Sequence, residues 1–472
     1  MIYKTDDTTE AKTKDLKQSL LDQAASYSKE YLDNIDTMPV WPSADSVAAL
    51  EKLRTPLPET ETDPAEVLSL LNQYAAPATT ANLGGHYFGY VTGGLLPIAH
   101  AAQWLVDTWN QNSAMYAMSP AASVLEEICE KWVADLFGFP EGTAMSLVTG
   151  SSNGILVSLI TARNELLRKK GWDVHKQGYK NAPPIRIVLG AGAHGAVLGA
   201  LYYPGFGTDE LEFVPIDECG RMIPEKVPAL DDSTLFILQA GHVCGGAYDP
   251  IDTLVEMGNK AGAWVHVDGA FGLWAAVTPK QAHHVKGLGK ASSCNFDAHK
   301  TLNAGYDNSI VLCRNRDALR SAMASGGSYL AFSKHRDGST YATEMSRRAR
   351  GIVLWAVLRQ LGRQGLADLM DHLCECTEYF AEKLVEAGFE MPNPPFFNQF
   401  FVKCDTEEHT KAVLERIQSS GKVWSSSAVW EGETVMRMSV CSHMTTIRDI
   451  EESVEVYRSA YNAVRTESVS HV

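Results

Sequence analysis

The sequence predicts an α/β protein: a large unit with a mainly parallel sheet, a helical arm before it and a small α+β unit after it. Three observations carry this. From about residue 143, short β-rich apolar runs alternate with helical stretches. After about residue 350 the pattern changes to a long helix, two strand-like segments and further helices. Residues 1–85 read only as helical segments around proline-rich connections, Met38–Pro42 and Pro56–Pro64. The expected boundaries are therefore 1–85, 86–350 and 351–472.

The arm segment LKQSLLDQAASYSKEYLDNI places apolar residues at helical spacing. The strand-like runs of the large unit are 144–149, 185–189, 211–215, 234–239, 263–267, 292–296 and 309–313. NGILVSLITARNELLRKK (153–170) is a helix between the first two. In the small unit GIVLWAVLRQLGRQGLADLMDHLCECTEYFAEKLVEAG is one long helix, FFNQFFVKC and TVMRMSV are strands, and DIEESVEVYRSAYNAV is the closing helix.

Of the 472 residues, 57 are acidic and 41 are Lys or Arg, a net charge of −16. So negative a surface excludes nucleic acid and anionic membrane as main partners. No apolar run approaches the roughly 18–20 residues that span a bilayer. The N-terminus MIYKTDDTTEAKTKDL lacks both the apolar core of a signal peptide and the Arg-rich character of a transit peptide. Nine scattered cysteines, an odd number, fit reduced thiols, and the expected compartment is the cytoplasm. Cys374 and Cys376 lack a second pair and His283-His284 reads as a solvated loop pair, so no metal site is expected.

Ligands of parallel sheets bind beyond the carboxyl ends of the strands, which is where chemistry is sought. The first run ends in Gly150-Ser151-Ser152-Asn153-Gly154 and enters a helix, a cup for phosphate or carboxylate, or a plain helix cap. The fifth run ends in Asp268, an acid that needs a cationic partner if buried, or that caps the next helical turn. The sixth leads to Asp297-Ala298-His299-Lys300. A lysine past a buried strand is either a surface residue on a turn or an amine whose proton affinity burial lowers, able to bond an aldehyde. Together, cup, acid and lysine match the needs of pyridoxal 5'-phosphate: an anchor for its phosphate, a carboxylate that keeps the pyridine nitrogen protonated, and an amine for its aldehyde.

The stretches HYFGYVTGGLLP (86–97), TGSSNGILVSLITAR (149–163), GAHGAVLGAL (192–201), HVDGAFG (266–272), NFDAHKTLN (295–303) and EMSRRARGIVLWAVLRQLG (344–362) stand in the order found in the group II pyridoxal-phosphate-dependent decarboxylases. The chain resembles that family, which groups aromatic amino acid, tyrosine and glutamate decarboxylases, and looks closest to its bacterial and fungal branch. The resemblance implies the fold-type I, aspartate aminotransferase-like architecture and a homodimer with its active site at the subunit interface. It puts Lys300 at the Schiff-base position, Asp268 at the pyridinium position and Ala270 beneath the ring. It also puts His194 where a histidine stacks on the ring and meets the substrate carboxylate, and Ser151, Ser152 and Asn153 in the phosphate cup. By the same resemblance His299 precedes the lysine, His242 falls where a polar residue contacts the ring hydroxyl, and Tyr87 and Phe88 fall on the segment that lines the substrate pocket.

Three departures from the family pattern stand out. Thr301 replaces a common Trp, and Gly269 a common Ala. The glycine-containing loop Ser325–Glu344, expected to open and close, carries Tyr329 and Tyr341 where relatives carry a proton-donating tyrosine; Tyr341 is the expected donor. If neither tyrosine reaches the substrate, an aldehyde synthase, aldolase or aminotransferase outcome competes with simple decarboxylation. Tyr87, Phe88, Tyr90 and Trp104 favour an aromatic or apolar amino acid substrate. A rival reading is a nicotinamide-dependent oxidoreductase, from Gly190-Ala191-Gly192-Ala193-His194-Gly195 with Asp217 beyond it. It leaves Asp268 and Lys300 without a role.

Overall fold

The computed structural model describes residues 7–324 and 334–470. The arm consists of α1 (Asp7–Asn34), α2 (Ala44–Ala49) and α3 (Pro64–Leu70). Ser43 and Asp63 cap the two short helices by accepting from the amides of Ser46 and Ala65. Helices α4 (Pro97–Trp109) and α5 (Pro120–Leu136) come next, each with a proline in its first turn, where no amide donor is needed.

The seven predicted runs form one sheet: β1 (Ala144–Val148), β2 (Arg186–Gly190), β3 (Leu211–Val214), β4 (Thr234–Gln239), β5 (Trp264–Asp268), β6 (Ser293–Asp297) and β7 (Ser309–Cys313). Their order is β1-β7-β6-β5-β4-β2-β3. Only β7 runs antiparallel, to both β1 and β6. The carboxyl ends of the other six therefore share one edge. Strands β1, β5, β6 and β7 are buried along their whole length, which is why they read as continuous apolar runs rather than alternating ones.

Helices α6 (Ser151–Lys169), α7 (Val174–Gln177), α8 (Gly195–Leu201), α9 (Ile251–Ala261) and α10 (Arg316–Met323) lie between the strands in sequence or just beyond the last of them. One core contains Val265, Val267, Phe296 and Leu312; a second contains Ile187, Leu189, Ile237 and Val311. Gly154 lets α6 lie close to the sheet: a Cβ there would stand 3.2 Å from that of Asn295.

The small unit holds α11 (Arg350–Glu386), β8 (Gln399–Val402), α12 (Glu407–Ser419), β9 (Ser426–Trp430), β10 (Glu433–Ser439) and α13 (Ile447–Ser470), with antiparallel strand order β8-β10-β9. The predicted long helix is broken at Gly362, which has φ 59°. Trp355, before the break, faces Trp132 of α5, and Phe380, after it, meets Tyr457 of α13 edge-on, so α11 ties the two units together. Strand β9 was not expected: SSAVW has no apolar run, because its residues alternate in exposure.

Residues 334–350 are pinned by buried charge. Arg336 pairs with Glu126 at 3.0 Å and Glu130 at 2.7 Å, and Arg347 donates to the Leu147 carbonyl at 2.7 Å. Removing one member of such a cluster leaves charge uncompensated. Arg336→Met is expected to lower unfolding stability by about 3–5 kcal/mol in urea titration, whereas Arg54→Met, on an exposed pair, should leave the midpoint unchanged.

Candidate active site

The shared strand edge gathers the predicted residues. Strand β5 delivers Asp268 and β6 delivers Asp297, with Asp268 level with Asn295 in the parallel register. Asn295 Nδ2 donates to Asp268 Oδ1 at 3.0 Å and to Ser151 Oγ at 3.3 Å. Thus one amide joins the strand-end acid to the first residue of α6. Asp268 Oδ2 makes no hydrogen bond among the described residues. Burial pushes the Asp268 carboxyl above its ordinary range, while His194, Asn295 and Lys300 pull it back.

Helix α6 is preceded by Gly150, whose extended backbone carries no capping side chain, so among the described residues no side chain caps the amides of its first turn, which suits an anion. Ser151 is half-buried and Ser152 is exposed. Asn153 is engaged by the chain itself: it donates to Glu344 Oε1 at 2.9 Å and accepts from Thr343 at 3.2 Å.

Lys300 Nζ lies 2.9 Å from Asp297 Oδ2, and His299 Nε2 lies 3.6 Å from the same oxygen. Burial pushes Asp297 up, but Lys300 and His299 outweigh it and hold its carboxyl below the usual range. Of the two readings of Lys300, free on a surface turn or buried as an amine, neither is complete: it sits in an ion pair. The segment 86–97 closes over it. A Cβ at Gly93 would stand 2.1 Å from the Lys300 carbonyl oxygen, so only glycine permits this approach. Just before it, Tyr90 and Val91 adopt φ 55° and 56°. A β-branched residue there stores about 1–3 kcal/mol of strain.

His194 caps α8, its Nδ1 accepting from the Ala196 amide at 3.0 Å. Burial lowers its proton affinity. His242 is buried, and its Nδ1 accepts from the Cys244 amide at 3.1 Å, which leaves Nε2 as the protonated nitrogen. Burial holds that ring down to about 4. Ala270 stays half-exposed beyond β5. Gly269 has a local reason: a Cβ would fall 2.1 Å from Leu273 Cγ, so Leu273 fills the space that alanine would take.

The profile described as the pyridoxal-dependent decarboxylase conserved domain matches residues 50–398. The chain belongs to the pyridoxal-dependent decarboxylase family. Among its relatives are cysteine sulfinic acid decarboxylase of Mus musculus, 28% identical over 331 residues and 66% of each chain, and tryptophan decarboxylase 2 of Oryza sativa, 23% identical over 460 residues and 91% of each chain. Phenylacetaldehyde synthase of Arabidopsis thaliana is 27% identical over 373 residues, 72% of this chain and 74% of the relative. The structure of Oryza sativa TDC with PLP and tryptamine superimposes with a TM-score of 0.87 at 20% identity, covering 95% of this chain and 98% of the other. The fold-type I architecture is thereby established, and the protein is a pyridoxal-phosphate-dependent carboxy-lyase.

The residues present fit this cofactor. The uncapped α6 suits a phosphate, the spare oxygen of Asp268 suits a protonated ring nitrogen, and Lys300 suits the aldehyde. The oxidoreductase reading fails with the family match. Its ribose-binding acid is also unavailable: Asp217 spends its carboxylate on Arg221 and on the amides of Cys219 and Arg221.

Two expected site residues lie elsewhere within the chain. Tyr341 is buried, faces the Arg336 guanidinium at 3.9 Å, and its hydroxyl receives Arg316 at 3.1 Å. Arg316 also binds the carbonyls of Gly142 and Thr143, just before β1. Because β1 and β6 run in the same direction, that point is the opposite end of the sheet from Lys300. Tyr329 lies outside the described residues. Phe88 is fully buried against Phe380 in the small-unit core instead of lining a pocket, because residues 86–88 hydrogen-bond Trp424 and Ser439 around an isolated bridge between Tyr87 and Trp424. Tyr87 does stay near the site, close to Thr92, Tyr90 and Tyr306. Nor is His284 a solvated loop residue: it stacks on Tyr248 at 4.7 Å.

The sequence motifs assign no role to Asn295, Tyr306 or Arg437, and name Asp297 only as the residue that opens the lysine turn. Arg437 is buried on β10, has no ion-pair or hydrogen-bond partner among the described residues, and influences His194 and His242. A lone arginine inside the apolar strand TVMRMSV was the available signal.

The buried histidines give a pH dependence. His242 and His266 are held at about 4 against an ordinary 6.5. Between those values the unfolded chain binds protons that the folded one refuses. Their contribution is whole above pH 6.5 and is lost as pH falls toward 4. Urea midpoints measured from pH 7.5 to 4.5 should fall, and less steeply in His242→Gln.

Proposed function

We propose that the protein decarboxylates an aromatic or apolar L-amino acid to its amine and CO2, using the strand-edge site. The observation that carries this reading is the convergence of Asp268, Lys300 and the uncapped start of α6, with Asn295 joining the first to the last. In it, Ser151, Ser152 and Asn153 hold the cofactor's phosphate, Ala270 and His194 flank its ring, and His242 meets its ring hydroxyl through Nε2–H. Lys300 holds the aldehyde, with His299 beside it.

When bound, pyridoxal phosphate supplies the electron-accepting ring that takes up the pair left as the carboxylate departs. The chain's residues do the rest. Asp268 keeps the ring nitrogen's proton, and its burial strengthens that interaction. Asp297 receives the Lys300 ammonium whenever that amine is not bonded to the cofactor. Arg437, a buried cation without a protein anion among the described residues, draws in the carboxylate of the incoming amino acid. Tyr87, Tyr90 and Tyr306 give the entrance an aromatic lining that favours a flat apolar side chain.

A homodimer with this site at the subunit interface belongs to the proposal. It is supported by the exposed Tyr90, Trp104, Leu105, Trp109 and Tyr306. Nine free, buried cysteines support a reducing, cytoplasmic setting.

Incubation with the twenty amino acids, scoring amine, aldehyde and keto acid separately by mass spectrometry, tests substrate and outcome together. Amine from an aromatic or apolar substrate is expected; aldehyde as the main product would overturn the simple decarboxylation. Lys300→Ala should abolish turnover. Asp268→Ala should lower kcat/KM by two to four orders of magnitude, about 3–5 kcal/mol, and full activity would contradict its role. Arg437→Met should raise KM about tenfold or more.

A further inference from the structure

Beneath Asp268 runs a chain of buried polar side chains that crosses between β5 and β6. The period-two alternation of strands puts Trp264, His266 and Asp268 on one face of β5, and Ser293 and Asn295 on the corresponding face of β6. The register aligns His266 with Ser293 and Asp268 with Asn295. Trp264 Nε1 donates to Ser293 Oγ at 3.0 Å. Ser293 Oγ meets His266 Nδ1 at 2.9 Å, His266 Nε2 meets Asn295 Oδ1 at 3.0 Å, and Asn295 Nδ2 reaches Asp268 Oδ1 at 3.0 Å. All five residues are buried.

The chemistry of each group fixes the direction of every bond. The Asp268 carboxylate only accepts, so the Asn295 amide must turn its NH2 toward it and its oxygen toward His266. An amide oxygen also only accepts, so His266 Nε2 must carry a proton. Burial holds the His266 ring at about 4, so it is neutral and Nδ1 is an acceptor. Ser293 donates to that nitrogen, and its own oxygen takes the indole proton. The chain is a one-way series of donors ending on Asp268. The second hydrogen of the Asn295 amide goes to Ser151 Oγ, so the Ser151 hydroxyl proton is left to donate elsewhere.

We propose that Asn295, locked by His266, Ser293 and Trp264, is a positioning residue that sets both ends of the cofactor site at once. It turns the free oxygen of Asp268 toward the ring nitrogen and the hydroxyl of Ser151 toward the phosphate. This rests on the cofactor reading above, in which Asp268 and Ser151 hold those two ends. A purely structural amide would stabilise the strands without affecting the state of the ring nitrogen.

The test uses pyridoxal phosphate labelled with 15N in its ring, added to purified apoprotein, wild type and Asn295→Leu. In the wild type the label should report a protonated ring nitrogen. In Asn295→Leu the apparent Kd should rise at least tenfold, and the bound label should move toward the unprotonated position. A folded Asn295→Leu variant with Kd within twofold and an unmoved label overturns the proposal. Independently of any variant, imidazole 15N spectra of the wild-type protein should show His266 as the neutral Nε2–H form throughout pH 6–8. An Nδ1–H form or an imidazolium there overturns it even if Asn295→Leu does not fold. A wild type that takes up no pyridoxal phosphate removes the cofactor reading, and this inference with it.

Discussion

The site depends on a carboxylate held largely inside the protein. Asp268 ends a fully buried strand, and a bare charge there would cost several kcal/mol. The structure offsets that cost with a neutral amide on one oxygen and nearby positive charge, and leaves the other oxygen for a ligand. A pre-aimed carboxylate in a dry site interacts with a protonated ring far more strongly than one in water. The parallel register of β5 on β6 makes this possible, since a one-residue slip would turn Asn295 to the other face.

The lysine is held differently. Its carboxylate partner lies three residues back on the same turn, and its backbone is covered by a glycine from a distant segment. That segment is also hydrogen-bonded to the small unit through Trp424 and Ser439. The strained turn at Tyr90 and Val91 lies between these two attachments, so the entrance to the site is built from both units. Arg437 comes from the small unit as well, so under the proposed reading the substrate carboxylate is drawn in between the two units.

Much of the fold was legible because β1, β5, β6 and β7 of the large sheet are buried on both faces. All seven large-unit strands stand out as apolar runs, and three of the site's anchors can be placed directly from where those runs stop. Strand β9 was not legible, since half its residues face water and its composition resembles a loop. The break at Gly362 also escaped, because glycine within an amphipathic pattern does not reveal a left-handed φ. Phe88 and Tyr341 were misplaced for a common reason. An aromatic residue beside a functional motif serves a core or a pocket equally well, and only the packing of Phe380 on one and Arg336 on the other decides.

The sequence by itself determined the α/β class, the strand-end acid, the strand-end lysine and the glycine-serine turn that starts α6, because strand alternation and residue chemistry are local properties. The tertiary structure decided which groups meet: Asn295 bridging Asp268 and Ser151, Arg437 arriving from β10, and Tyr341 turned away to the far end of the sheet. Those pairings depend on register, strand order and the docking of the two units. Hydrogen bonds a few ångströms long connect residues more than a hundred positions apart, and linear spacing holds no record of them.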